Sequence, residues 1–328
     1  MNEYELIRKI AGHFPRSREQ LNGLFGCDAE LIEIGGQTWG MTLDEFTPEE
    51  DRFTSEDPER LGWNLAVATL SDLLAAGVAP RFFLNALALP SNVEAGFADA
   101  LCRGIAGALS EVGAAHCGGD LGTAAGWRFT GFAMGPLAAA QPLTHRGPVA
   151  PQTLYVTGSF GDANLAALTG SPTPRFELRT AAARIIRQYA TVCIDTSGGF
   201  FDAVWVLHEQ NPAWRIEIAC DAVPLAEGVR PYTSARGLPA ETALLGGAGE
   251  YELLWAAPAD LPREARLALT GAGATAVGAT APGQGGVFLR QADRIRRMES
   301  PPPCPREAAS TQEHVAAVIR MAQELFGR

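Results

Sequence analysis

LGWNLAVATLSDLLAAGVAPRFFLNALALP, residues 61–90, decides the fold. Its first half is too uniformly apolar for a surface helix and reads as a buried one. Asp57-Pro58 upstream offers a cap and a first-turn proline, and Gly77 closes the segment. FFLNALALP (82–90) then reads as an apolar strand stopped by proline. The flaw is Asp72, a carboxylate inside the apolar run. Buried without a partner it would cost several kcal/mol in effective terms, so it pairs with something or faces a site.

Outward from this stretch, AELIEIGGQTWGMTL (29–43) reads as two strands about the turn Gly35-Gly36. EYELIRKIAGHF (3–14) has helical spacing in Leu6, Ile10 and Phe14, and residues 47–60 form an acidic polar loop. Downstream, 93–113 is an amphipathic helix. AAHCGGDLG (114–122) reads as a short strand running into a glycine-rich loop, and 127–137 as a strand. THRGPVAPQ (144–152), rich in proline and glycine, marks a boundary between domains 1–148 and 149–328.

In the second half, strands are expected at 153–159, 191–197, 214–220, 251–258 and 274–280. Helices are expected near 161–168 and over 176–190, 200–210 and 311–326. Strands and helices alternate without strict βαβ regularity, which implies an α+β or mixed α/β fold.

The chain has 328 residues and a formal net charge of −11, so electrostatics argue against nucleic-acid or acidic-membrane partners. No apolar segment is long and charge-free enough to predict a membrane span. Six cysteines without a C-x-x-C pair, and no secretory signal, suggest free thiols in a reducing cytoplasm. Lys9 is the only lysine. Neither the G-K-[ST] of a P-loop nor the strand lysine of a protein kinase is available. A protein of this composition that handles nucleotide phosphates must use metals, arginines and backbone amides.

Asp28, Asp44, Asp72, Asp120 and Asp195 each follow an apolar strand, stand beside glycine or interrupt a buried helix. Singly, each reads first as a cap or turn residue. Taken together, converging carboxylates would need cations to cancel their repulsion, and magnesium suits a set of hard oxygen ligands.

The motifs resemble the thiamine-monophosphate kinase family, in the superfamily of aminoimidazole-ribonucleotide (AIR) synthetase, selenophosphate synthetase and the hydrogenase-maturation protein HypE. GCDAEL resembles G-D-D-A, and MTLDEF resembles T-T-D-x-L. Residues 61–90 resemble the family's G-W-K-A-L-A-V-N-L-S-D signature and the strand after it. CGGDLG resembles G-G-D-T, CIDTSGGF resembles x-D-x-S-D-G-L, and GGAGEYELLW resembles G-G-E-D-Y-E-L-L-F. HRGPVAPQTLYVTGSFGDANLAAL resembles the family's R-x-G-A-x-P-G-D-x-I-Y-V-T-G-x-L-G-D-x-A-A-G-L.

The resemblance implies a two-domain AIR-synthetase-like fold, with an N-terminal mixed sheet plus helices and a C-terminal α/β domain, assembled as a homodimer. It implies ATP as substrate, Mg2+ as cofactor, and transfer of the γ-phosphoryl group to thiamine monophosphate to give thiamine diphosphate. Carried over by motif, Asp28, Thr42, Leu43 (through its carbonyl), Asp44, Asp72, Asp120 and Asp195 would hold metal. Gly119, Asp120, Arg146 and Ser197 would contact the nucleotide, and Arg52, Phe53, Glu250 and Tyr251 the acceptor. No residue is needed as a general base, because the acceptor phosphate is already deprotonated.

Several positions depart from the family pattern. Cys27 replaces the first acid of G-D-D, Thr69 an asparagine, and Arg52 a histidine. S-D-G has become Ser197-Gly198-Gly199, which removes a metal-ligand aspartate; Asp202, one helical turn on, is an acid that could replace it. These changes leave open another acceptor within the superfamily, or a nucleotide-binding paralogue without turnover. HypE chemistry is disfavoured, because the segment ending QELFGR carries no terminal cysteine. Selenophosphate synthetase is disfavoured by the missing N-terminal reactive residue with its adjacent lysine.

Overall fold

A computed structural model describes residues 3–51 and 53–327. The elements of the first half are α1 (Glu3–Ala11), β1 (Glu30–Ile34), β2 (Gln37–Phe46), α2 (Pro58–Ala75), β3 (Phe82–Leu89), α3 (Ala95–Val112), β4 (Ala115–Thr123) and β5 (Arg128–Pro136). The second half contributes β6 (Gln152–Val156), α4 (Asp162–Thr169), α5 (Thr180–Tyr189), β7 (Val192–Asp195), α6 (Phe200–Gln210) and β8 (Trp214–Ala219). It continues with α7 (Val229–Ser234), β9 (Leu253–Pro258), α8 (Arg263–Gly271), β10 (Thr275–Pro282), β11 (Gly286–Gln291), β12 (Arg294–Met298) and α9 (Thr311–Phe326).

The first half folds as a five-stranded sheet in the order β1-β2-β5-β3-β4, antiparallel except for β3 and β4. Its inner face packs on α2, which is buried from Leu61 through Ala75 apart from a partly open Asp72. Asp57 caps the helix by accepting from Arg60 N at 3.0 Å, as the sequence leads one to expect. α3 crosses α2 at glycine: a Cβ on Gly62 would stand 1.9 Å from Leu101 O, and one on Gly104 1.9 Å from Glu59 O. No larger residue allows the two backbones to approach so closely. Residues 114–122 differ from expectation: the glycines stay in strand, because β4 pairs with β3 at Ala115–His116 and again over Gly119–Thr123, on either side of an irregularity at Cys117-Gly118.

The second half is a seven-stranded sheet in the order β12-β11-β8-β10-β6-β9-β7, with one parallel pair, β8 and β11. Apolar residues on both faces of β6 and β9 explain their unbroken hydrophobic runs. Leu154, Val156, Leu254 and Ala256 face a core shared with α6 and α9. Tyr155, Leu253, Trp255 and Ala257 face a core that also holds Leu65, Leu70, Phe83 and Phe129 of the first half. The two sheets therefore share one apolar interior. The helix expected at 176 begins only at Thr180, because the preceding segment lies extended along α2. There Asn64 donates to Pro174 O at 2.8 Å and accepts from Phe176 N at 3.0 Å, while Trp63 Nε1 donates to Phe176 O at 2.8 Å.

Candidate phosphoryl-transfer site

The junction of the two halves gathers acids. Asp44 enters from the inner face of β2, Asp72 from α2, Asp28 from the turn before β1, and Asp195 from the end of β7. Thr42 Oγ1 donates to Asp72 Oδ2 at 2.5 Å. Ser71, one residue away on α2, donates its hydroxyl to Asp195, which also accepts from Ser197 N at 3.1 Å. Asp28 ties the halves together by accepting from Asp195 N at 3.2 Å and pairing with His145 Nε2 at 3.1 Å.

Burial, and then the neighbouring carboxylates, raise Asp44, Asp72 and Asp195 above the ordinary range. Burial, then the charges of Asp195, Asp28 and Asp51, pushes Asp44 up to about 7. Burial and the hydrogen-bonded neighbour Asp28 push Asp195 up to about 6, against the pull of Ser71 and Ser197. Asp72 is raised well above the carboxylate range, by burial first and then by Asp44, Asp195 and Asp28. Burial alone would lower His145, but Asp28, the Phe25 carbonyl and Asp195 together hold its imidazole above the ordinary value. Both ring nitrogens of His145 face acceptors, Nε2 the Asp28 carboxylate and Nδ1 Phe25 O at 2.8 Å.

Asp44 Oδ2 is buried and has no hydrogen-bond partner. Such an orphaned carboxylate oxygen, in a field of like charges, fits a hard cation such as Mg2+. Among the described residues no group of three or more His, Cys, Asp or Glu side chains is arranged so as to hold a metal ion by itself. Substrate oxygens would have to supply the remaining ligands, as a site for metal-bound polyphosphate requires.

The structure brings Asp28, Thr42, Asp44, Asp72 and Asp195 together but leaves Asp120 apart. Asp120 is exposed on edge strand β4, in register with Ala86, Thr130 and Glu45, the row on the outer face of the sheet. Three strand spacings, about 14 Å, separate it from β2. Gly119 lies on the same edge strand, opposite Asn85. Leu43 sends its side chain to the outer face, as strand alternation requires, and is 65% exposed. Ser197 is exposed beside Asp195, and Arg146 is exposed next to His145.

On the acceptor side, Arg52 lies outside the described residues. Phe53 and Tyr251 are buried in one aromatic cluster with Phe176, ring centroids 5.5 Å (Phe53–Phe176) and 4.9 Å (Phe176–Tyr251) apart. The Tyr251 hydroxyl is raised well above its ordinary value, by burial first and then by Asp51, Asp195, Asp44 and Asp72, so the cluster abuts the acids. Tyr251 is also held at φ +56°, a left-handed conformation costing about 1–2 kcal/mol in a non-glycine residue. Glu250 turns inward, where its carboxylate accepts from Gly161 N and Ala163 N at the start of α4. It serves the fold there, and Glu252 does likewise by pairing with Arg179 and Thr157.

His145, Asp51 and Ser71 belong to the site although sequence reasoning did not single them out. Asp51 accepts from Thr47 N at 2.7 Å and is pushed up to about 6, chiefly by burial. Its sequence signal is hidden in the acidic run 49–51, where no apolar neighbours set it apart.

The family model for the AIR synthase related protein, N-terminal domain, matches residues 26–136, the segment that carries Asp28, Asp44 and Asp72. The thiamine-monophosphate kinase of Archaeoglobus fulgidus is 28% identical over 277 residues, covering 78% of this chain and 86% of that protein. The chain thus carries an AIR synthase related N-terminal domain over residues 26–136 and is similar to thiamine-monophosphate kinases over most of its length. The fold agrees: the Aquifex aeolicus protein AaThiL, solved with AMPPCP and TMP, superposes with a TM-score of 0.75 at 20% identity, covering 90% of this chain and 96% of that one. HypE of E. coli superposes with a TM-score of 0.70, also at 20% identity, covering 93% and 99%. Backbone likeness at this identity shows the shared fold alone and does not tell these proteins apart.

Proposed function

We propose that the protein transfers the γ-phosphoryl group of ATP to thiamine monophosphate, giving ADP and thiamine diphosphate. The observation that carries this reading is the meeting of Asp28, Asp44, Asp72 and Asp195, drawn from both halves of the chain, around an unpartnered carboxylate oxygen. Relatives named thiamine-monophosphate kinase, matching over most of the chain, support the choice of acceptor.

Four acids repel an incoming polyphosphate, so the site works only with counter-cations. Asp28, Asp44, Asp72 and Asp195 would hold Mg2+, which when bound neutralises the charge on the transferring phosphoryl group. The chain's own contribution is positioning. Thr42 and Ser71 fix the rotamers of Asp72 and Asp195, and His145 fixes Asp28. Arg146, exposed beside His145, presents a guanidinium fork suited to phosphate oxygens. The attacking group is a phosphate oxygen, already anionic at neutral pH, so no side chain has to remove a proton.

The functional unit of this reading is a cytoplasmic homodimer of two-domain subunits, 1–148 and 149–328. The outer face of the five-stranded sheet presents Leu43, Phe132 and Leu84 in one row, with Leu43 65% exposed. A second copy covering this face would bury that apolar surface and give Asp120, remote from the acids of its own chain, a site to join.

The test is direct. Purified protein with ATP, Mg2+ and thiamine monophosphate should form ADP and thiamine diphosphate in equal amounts, read by chromatography. Absence of both products overturns the reading. ADP formation only with some other phosphorylated acceptor would favour a different substrate, a reading to which the inward turn of Glu250 lends weight.

A further inference from the structure

Gly198 stands where the family motif S-D-G carries its second acid, and the structure shows what fills the space. A Cβ placed on Gly198 would lie 2.2 Å from Asp202 Oδ2, 2.9 Å from its Cγ and 3.3 Å from its Cβ. The volume a side chain at 198 would enter is taken by the carboxylate of Asp202. Gly198 does not adopt a left-handed φ, so its backbone would accept an L-residue. The obstacle to a side chain there is Asp202 itself.

Asp202 sits in the first turn of α6. A negative charge there is favoured by the helix dipole, so the carboxylate costs less than it would elsewhere in the cluster. Asp202 and Gly198 line a cavity of about 220 Å3 together with Asp28, His145, Asp195 and Ser197. The cavity thus joins Asp202 to two members of the acid cluster, Asp28 and Asp195, and to the histidine that pairs with Asp28.

We propose that Asp202 supplies, from one helical turn downstream, the carboxylate that Ser197-Gly198-Gly199 lacks, and that it binds the same cation-bound polyphosphate. Glycine at 198 and aspartate at 202 are then a matched exchange: the acid has moved along the chain and kept its place in space. The inference rests on the phosphoryl-transfer reading, and it turns an apparent loss of a ligand into a relocation.

The test measures binding, independent of turnover. Mn2+ is titrated by electron paramagnetic resonance in the presence of a non-hydrolysable ATP analogue, with folding of each variant checked by circular dichroism. Four proteins are compared: the natural chain, Asp202→Ala, Gly198→Asp, and the double variant Gly198→Asp/Asp202→Ala. Asp202→Ala should weaken Mn2+ binding about tenfold or more, within the roughly 10–100-fold range for groups that shape a metal site. Gly198→Asp alone should not tighten binding and should lower the melting temperature, because two side chains compete for one space. The double variant should regain binding to within about threefold of the natural chain, since each protein then holds one acid in that space. Equal binding by Asp202→Ala and the natural chain, or a double variant no better than Asp202→Ala, overturns the inference. No Mn2+ binding by the natural chain overturns the phosphoryl-transfer reading beneath it.

Discussion

Replacing Asp44 by asparagine should stabilise the metal-free protein at alkaline pH. Asp44 titrates near 7 in the folded chain against an ordinary value of 3.8, so folding favours its protonated form. Between those values the native state binds the proton more tightly than the unfolded chain, and stability falls as pH rises. Below about pH 4 the group is protonated in both states and contributes no penalty. Above about 7 the penalty is complete: roughly 3 units at about 1.4 kcal/mol each, or about 4 kcal/mol at most. Asp72 and Asp195 share this repulsion, so removing one charge also relieves them.

The assay is a pair of urea titrations with EDTA present. At pH 4, where Asp44 is protonated in the folded chain and still partly protonated in the unfolded one, Asp44→Asn should match the natural chain within about 1 kcal/mol. At pH 8 it should be the more stable by about 2–4 kcal/mol. Adding Mg2+ with an ATP analogue should reverse the order, because a bound ligand stabilises in proportion to its affinity and the variant has lost a ligand. A variant that at pH 8 is no more stable than the natural chain would refute the idea that burial and the neighbouring acids penalise an ionised Asp44 in the folded state.

Three further outcomes follow from the packing. Asn64→Ala should destabilise by about 2–4 kcal/mol in denaturant melts, because it strands the buried Phe176 N–H and Pro174 carbonyl. Gly104→Val should cost more than about 3 kcal/mol or prevent folding, measured by soluble yield and thermal melting, since its side chain would enter the backbone of α2 at Glu59. His145→Ala should raise the KM for ATP and lower stability, most below about pH 6.5 and less as pH rises through the raised imidazole value, because Asp28 loses its counter-charge; His145→Lys should recover part of the stability.

Much of this was legible because local chemistry coincides with global position. Asp57, Pro58 and Gly77 bracket α2, and Asp72 betrays itself as a carboxylate among leucines and alanines. Asp28, Asp44 and Asp195 stand out for a similar reason, as acids at the ends or inside of apolar strands. The separation of Asp120 could not be read this way. It depends on β5 inserting between β2 and β3, an order set by long-range pairing that no local pattern encodes. His145 was hidden by its surroundings: threonine, arginine, glycine and proline announce a linker, and only the fold turns that linker back onto Phe25 and Asp28. β11 and β12 escaped because charged residues fill the exposed strand β12 and erase the apolar alternation.

The location of the acids explains why the fold tolerates them. Each half contributes charges that its own core could not bury: Asp28, Asp44 and Asp72 from the first sheet and its helix, Asp195 from the edge of the second. The apolar contact between the sheets is anchored elsewhere, by Phe176 against Tyr251 and by Asn64, Trp63 and Thr54 holding the segment 173–176. Burying one large aromatic side chain contributes about 2–3 kcal/mol. A few such anchors therefore offset the several kcal/mol of repulsion at the acids. The same repulsion is what a cation-bound substrate relieves, so ligand binding should tighten the junction of the two halves. Hydrogen exchange of the Asp195 amide, which bonds to Asp28 across that junction, should slow when Mg2+ and an ATP analogue are added together. An unchanged exchange rate would mean that the junction is equally closed without substrate, and that the acids store none of the binding energy.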